Sequence, residues 1–147
     1  GVPCERNAHP HISGGLAVVH NGIIENHEAL RTRLKSEGFV FTSDTDTEVV
    51  AHLIALELRK TPDFYTATRA AIAQLEGAYA LAVARESEPD RLIVAREGSP
   101  LLLGVSAEGT LCGFRCFCLA ASHASYRLPG EWRLCRTHAD RLSHHAG

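Results

Sequence analysis

Two adjacent residues, Asn21 and Gly22, could supply the hydrogen-bond donors that stabilise a developing oxyanion. They follow a short apolar run, residues 16–19, which predicts a buried strand. Asn-Gly is a strong turn signal because both residue types tolerate a positive φ. A strand that runs into such a turn leaves a side-chain amide beside a bare glycine N–H, the two donors that an oxyanion hole needs. The other interpretation is an ordinary turn between a strand and a helix, and these residues by themselves favour it.

A second candidate is Asp46, in the polar run TSDTDTE at residues 42–48. Thr45, Asp46 or Thr47 can cap the helix that follows. Glu48 would reinforce the first turn of that helix. Acidic residues at a helix start are also favoured by the helix dipole. A carboxylate held there could instead pair with the α-ammonium of an amino-acid ligand, but the spacing alone favours capping.

The loop before residue 16 carries His9 and His11 on either side of Pro10. His-x-His could provide two metal ligands, but no acidic or cysteine partner stands at a useful spacing. Loop histidines beside a proline are more often hydrogen-bonding or packing groups. The sequence therefore predicts no metal site.

The apolar pattern predicts the elements that would position these candidates. Three helices are predicted, over residues 26–37, 49–60 and 63–75. Three more strands follow, over residues 78–84, 91–95 and 101–105. Asn26 is the predicted N-cap of the first helix, and Leu30 and Leu34 share its inward face. Because one strand, then helices, then a run of strands succeed one another, the order indicates an α+β layered domain.

Composition excludes several classes of protein. The chain has 147 residues, of which 45% are hydrophobic and 22% charged, as in an ordinary globular domain. A net charge of −2 argues against a nucleic-acid partner, and no apolar run is long enough to span a membrane. The opening residues lack a signal-peptide core and a starting methionine, so we expect a piece of a longer protein. Since one of the five cysteines precedes residue 112, we expect a cytoplasmic protein.

Five segments carry a resemblance to a known family: GVPCERNAHPH, VVHNGIIENHEAL, SDTDTEVVAHL, LEGAYALAV and AREGSPLLLGV. Over roughly residues 1–109, in order and spacing, they resemble the glutaminase domain of the glutamine–fructose-6-phosphate aminotransferases. These are class II amidotransferases with the N-terminal-nucleophile hydrolase fold. The resemblance implies a fragment of a four-layer αββα sandwich that lacks its first strands.

The resemblance also implies a reaction, with glutamine as substrate and no cofactor. In the family, the thiolate of an N-terminal cysteine attacks the side-chain amide of glutamine, with its own α-amine as base. Ammonia leaves, and water hydrolyses the glutamyl thioester to glutamate. A sugar-phosphate isomerase domain, missing from this chain, uses the ammonia to convert fructose 6-phosphate to glucosamine 6-phosphate in hexosamine biosynthesis. The full-length protein would be a homodimer.

Individual positions match the family's motifs. Asn21 and Gly22 match the oxyanion pair, and Asp46 matches the carboxylate that binds the α-ammonium of glutamine, which reverses the preference for capping. His9 matches a supporting position near the site. Cys4 does not match the nucleophile, whose Cys-Gly-Ile start is not found here, so we expect this fragment alone to be inactive. The alternatives are a non-catalytic glutamine-binding module and a glutaminase domain of another class II amidotransferase, such as asparagine synthetase.

The tail, residues 110–147, shows no such resemblance. It is rich in Cys, His and Arg, and Cys112, Cys116 and Cys118 invite a zinc interpretation, but their spacing fits no ordinary C-x-x-C pair. A shift of reading frame near residues 110–112 explains the tail better, because permitted codons then spell a sequence that closely resembles the family's next segment. We therefore expect the tail to be disordered or poorly packed, and its cysteines and histidines to carry no function.

Overall fold

The structure is a computed structural model that describes residues 5–106, 109–113, 125–127, 133–138 and 141–146, with side chains for residues 6–101. Nine strands are described: β1 (His11–Ser13), β2 (Leu16–Ile24), β3 (Gly77–Arg85), β4 (Leu92–Glu97), β5 (Leu102–Ser106), β6 (Gly109–Gly113), β7 (Ser125–Arg127), β8 (Arg133–His138) and β9 (Arg141–Ala146). The helices are α1 (His27–Ser36), α2 (Asp46–Lys60) and α3 (Phe64–Ile72), and a short 3-10 turn covers Glu5–Asn7.

The strands form two antiparallel sheets. The larger has six strands in the order β1-β2-β3-β4-β8-β9, and the smaller has the order β6-β5-β7. Within the large sheet, β2 pairs with β3 along its whole length, from Leu16 opposite Arg85 to Ile24 opposite Gly77. The strands predicted over residues 78–84 and 91–95 are confirmed as β3 and β4, which pair antiparallel.

The three helices pack on one face of the large sheet. The main core joins residues of β2 and β3, such as Val18 and Leu81, to the apolar faces of the helices. Leu30 and Leu34 of α1 are buried in it, as their spacing predicts. On the other face a smaller cluster joins Ala80 and Val94 to Leu101, which directly precedes β5.

The predicted turn at Asn21-Gly22 is wrong, because β2 continues through both residues to Ile24. Gly22 has φ +129°, and a Cβ added to it would lie 2.2 Å from the carbonyl oxygen of Ala78. Glycine is therefore required here by the close approach of two paired strands, and not by a turn.

The tail contributes backbone to both sheets, since β7 pairs with β5 and β8 pairs with β4. Cys116, Cys118 and His123 lie outside the described residues, as does Cys4. The shifted reading frame and the poor packing expected of the tail stay predictions. Among the described residues, no helix has the length and apolar character needed to cross a membrane.

Candidate functional site

The hydrogen bonds of β2 show which of its N–H groups face an open edge. At the two ends of the β2–β3 pair, Glu86 N donates to Gly15 O and Glu25 N donates to Glu76 O, both at 2.8 Å. Hydrogen-bonded pairs alternate along an antiparallel ladder, so the odd-numbered residues of β2 bond to β3. The even-numbered residues direct their N–H groups to the opposite edge, which β1 covers only as far as Val18.

Beyond that point, the N–H groups of Gly22 and Ile24 face the open edge of β2, the part that none of the described strands covers. The N–H of Ile24 is taken by Asp46, whose Oδ2 accepts it at 3.0 Å. The other oxygen of Asp46, Oδ1, lies 3.5 Å from Nδ1 of His20. Asp46 thus contacts the residues on both sides of the Asn21-Gly22 pair, and it lies at the edge that the Gly22 N–H faces.

The surroundings of Asp46 keep its carboxyl group ionised. Burial alone would raise its pKa, but hydrogen bonds from His20 and the Ile24 N–H, with the charges of His20 and His27, lower the pKa to about 2. The side chain keeps 23% of its surface exposed. A carboxylate offers about four lone-pair positions, so these two contacts leave acceptor capacity for a cationic ligand.

A buried carboxylate holds the loop that carries Asp46. Glu48, 3% exposed, accepts hydrogen bonds from the N–H and hydroxyl groups of both Thr42 and Ser43, at 2.6–2.9 Å. Burial alone would raise the pKa of Glu48, but these hydrogen bonds together lower it to about 2. From the other side, Arg31 donates to Ser43 O at 2.9 Å and to Thr45 O at 2.7 Å. The loop is therefore fixed at both its side chains and its backbone.

The helix cap is Thr45, and Asp46 does not serve as one. The Thr45 hydroxyl accepts from Glu48 N at 3.4 Å, while Asp46 is the first residue of α2. Glu48 was predicted to reinforce this turn, but its side chain reaches the preceding loop instead. Because Thr45 already caps the helix, the carboxylate of Asp46 is available for the contacts with β2.

The structure places the other two predicted site residues around this edge. Asn21 pairs with Ala80, so its side chain lies on the face of the sheet away from the helices, while the adjacent Gly22 N–H points to the edge. His9 is exposed and packs edge-on against His11, with ring centroids 5.5 Å apart. Desolvation and the neighbouring His11 and His20 lower the pKa of His9, and Asp46 opposes them.

Sequence reasoning missed His20, which is 6% exposed and directly contacts Asp46. A signal exists: His20 occupies an even position of β2, where Leu16, Val18 and Ile24 are buried apolar residues. A histidine in such a series has to be explained by a polar partner. Within the described residues, no three His, Cys, Asp or Glu side chains lie close enough together to hold a metal ion.

Comparison with known proteins identifies the family. The sequence pattern of the glutamine amidotransferase domain matches residues 2–114. The chain belongs to this family. It is 63% identical over 94 residues to the glutamine–fructose-6-phosphate aminotransferase of Pseudomonas syringae pv. tomato, and 58% identical to that of Pseudomonas putida. Each match covers 63% of this chain and 15% of the relative, so the domain corresponds to a small part of those proteins.

The fold of the domain is shared with solved amidotransferases. A glutamine phosphoribosylpyrophosphate amidotransferase from B. subtilis matches with a TM-score of 0.80 at 24% identity, over 96% of this chain and 32% of that one. The predicted α+β class and N-terminal-nucleophile hydrolase fold are thereby confirmed. At this identity the similarity concerns the fold alone.

Proposed function

We propose that the open edge of β2 is the substrate-binding part of a glutaminase site, in which Asp46 binds the α-ammonium of glutamine. The observation that carries the proposal is the hydrogen bond from Ile24 N to Asp46 Oδ2, because it brings an ionised carboxylate to the edge faced by the Gly22 N–H. Gly22 and Asn21 supply the donors for the oxyanion formed from the side-chain amide. His9, at the rim, has a supporting role.

The spacing along β2 suits such a ligand. Gly22 and Ile24 are two residues apart, so their N–H groups are separated by roughly 7 Å along a strand. In glutamine, two methylene groups separate the α-carbon from the amide carbonyl. An extended glutamine can therefore place its ammonium at Asp46, beyond Ile24, while its amide oxygen lies near Gly22.

The relatives support a more specific reaction for the whole protein. A match of 63% to a glutamine–fructose-6-phosphate aminotransferase favours that activity over those of other class II amidotransferases. In this proposal, ammonia from glutamine is passed to a sugar-phosphate isomerase domain that makes glucosamine 6-phosphate from fructose 6-phosphate. The cytoplasmic location expected from the cysteines and the homodimer implied by the resemblance belong to the same proposal.

The residues of this chain bind and polarise the substrate in the proposed reaction, while attack on the amide belongs to the family's N-terminal cysteine. A polypeptide of these 147 residues alone is therefore expected to bind glutamine without hydrolysing it. Measurable release of glutamate and ammonia by the purified polypeptide would contradict this part of the proposal.

Calorimetric titration with two ligands tests the binding site. The ligands are L-glutamine and 5-amino-5-oxopentanoate, which is the same molecule without the α-ammonium. Asp46→Asn should weaken the binding of glutamine at least tenfold, about 1.4 kcal/mol, and leave the binding of the deaminated compound unchanged.

The matched control is Asp44→Asn, the same change two residues earlier in the chain. Asp44 is 67% exposed and ion-paired with Arg6 at 2.9 Å. The Asp44→Asn variant should bind both ligands as tightly as the unaltered chain does. Glutamine binding that is equally strong in the Asp46→Asn variant would refute the assignment of Asp46.

A further inference from the structure

His20 is a buried histidine whose position packing does not explain. Its side chain is 3% exposed and shares the helix-facing side of β2 with Val18. Nδ1 lies 3.1 Å from Thr47 Oγ1 and 3.5 Å from Asp46 Oδ1. Nε2 is buried with no hydrogen-bond partner among the described residues. Burying an unpartnered ring nitrogen is unfavourable, so an apolar side chain would suit the core better.

The neighbours of the ring decide which nitrogen carries the hydrogen. Asp46 is ionised, so both of its oxygens are acceptors. A lone pair on Nδ1 would face one of those oxygens and repel it. Nδ1 therefore carries the hydrogen, and the Thr47 hydroxyl can accept it too.

The two oxygens of Asp46 are then approached by donors from the same strand. The N–H of Ile24 holds Oδ2, and Nδ1–H of His20 faces Oδ1. Donors on both oxygens restrict rotation of the carboxylate about χ2, a torsion that otherwise takes a broad range of angles. A carboxylate held in this way presents its remaining lone pairs in one direction.

We propose that His20 is a positioning residue, which orients the Asp46 carboxylate toward an α-ammonium at the open edge of β2. The inference rests on the proposed function, since it concerns the same ligand. In this role His20 does not contact the ligand and takes no part in amide hydrolysis.

Three substitutions of His20 separate this role from packing. Asn places an amide N–H close to where Nδ1 lies, Gln places one close to Nε2, and Leu removes the Nδ1–H donor and introduces an apolar side chain. Each variant of the full chain is titrated with L-glutamine and with 5-amino-5-oxopentanoate. Circular dichroism of each variant establishes that it is folded.

We expect His20→Leu to weaken glutamine binding on the order of tenfold and to leave the deaminated compound unaffected. His20→Asn should recover most of the loss, and His20→Gln should not. The double variant His20→Leu with Asp46→Asn should bind glutamine no more weakly than Asp46→Asn alone, because the histidine acts through the carboxylate.

Three results would overturn the inference: unchanged glutamine binding in His20→Leu, an equal loss for both ligands, or recovery by Gln as complete as by Asn. If His20→Leu does not fold, the comparison of Asn with Gln decides. The proposed function fails separately, when the unaltered chain does not bind glutamine more tightly than the deaminated compound. If Asp46→Asn abolishes that preference and His20→Leu does not, the inference about His20 alone is wrong.

Discussion

Replacing Gly22 with alanine tests whether this residue is required by the packing of two strands. The backbone at Gly22 has φ +129°, a region that residues with a Cβ rarely adopt. The added Cβ would lie 2.2 Å from Ala78 O and 2.8 Å from the Cα of Tyr79. Both are backbone atoms of β3, so no flexible side chain can turn away to make room.

The expected cost combines two terms. A residue with a Cβ in this backbone conformation lowers the free energy of unfolding by about 1–3 kcal/mol. Real Cβ contacts are essentially never shorter than 3.0 Å, so the strands must also separate by about 0.8 Å at Ala78. Forcing such a shift in a packed region typically costs about 1–3 kcal/mol. The Gly22→Ala variant should therefore lose about 4 kcal/mol of unfolding free energy, a large share of the ~5–15 kcal/mol of a typical domain.

Gly38→Ala is the matched control, because Gly38 has φ +88° and no atom within 4 Å of the added Cβ. The Gly38→Ala variant should lose only the free energy that the backbone conformation costs a residue with a Cβ, about 1–2 kcal/mol. Unfolding in urea, followed by far-ultraviolet circular dichroism, gives both free energies by linear extrapolation. A loss in Gly22→Ala no larger than that in Gly38→Ala would show that the approach of β3 does not select glycine at this position.

Further predictions concern the acidic loop, a helix cap and the tail. Glu48→Gln should cost up to about 3 kcal/mol of unfolding free energy at pH 7 because, against the effect of burial, hydrogen bonds from Ser43 and Thr42 lower the pKa of Glu48 from 4.5 to about 2 on folding. This contribution is complete above pH 4.5 and is lost as the pH falls through about 2. The unfolding free energies of the unaltered chain and of Glu48→Gln, measured in urea, should therefore converge between pH 4.5 and about 2. A difference that stays constant over this range would contradict the lowered pKa of Glu48. Asp63→Ala should cost about 1 kcal/mol in thermal unfolding, since Asp63 accepts from Thr66 N at 2.8 Å and caps α3, whereas loss of the exposed Asp44 should cost well under that. One nucleotide-sequencing read across the codons of residues 105–147 should show a shift near residue 110, and an intact frame would refute it.

The faces of the helices could be predicted from the sequence because burial follows the helical period. Leu34 and Phe64 are fully buried, as their spacing with other apolar residues predicts. The segment Phe39–Phe41, two aromatic residues around Val40, forms no strand. Instead the two phenyl rings pack on His52, with Arg59 over Phe39 at 4.4 Å. Aromatic residues favour strands only where a partner strand is available, and none pairs with this segment among the described residues.

The Asn21-Gly22 pair shows why a local signal fails. Asn-Gly favours a turn when nothing competes, but here β3 pairs residue by residue with β2 on both sides of Gly22. Each added pair contributes cross-strand contacts, and the sum outweighs the preference of two residues. Gly22 does have a positive φ, but it has it within a strand, where a Cβ would meet the carbonyl oxygen of Ala78, a residue far along the chain.

The role of Asp46 is the point at which sequence reasoning reaches its limit. Capping and ligand binding both require an acidic or hydroxylic residue at a helix start, and neighbouring positions satisfy either need. In the structure Thr45 is the cap, since it accepts from the N–H of Glu48, and Asp46 accepts from the N–H of Ile24, 22 residues earlier. Only the packing of α2 against β2 creates that contact. A carboxylate needed merely for capping would not be held by a strand edge whose next N–H belongs to Gly22, and this arrangement favours binding over capping.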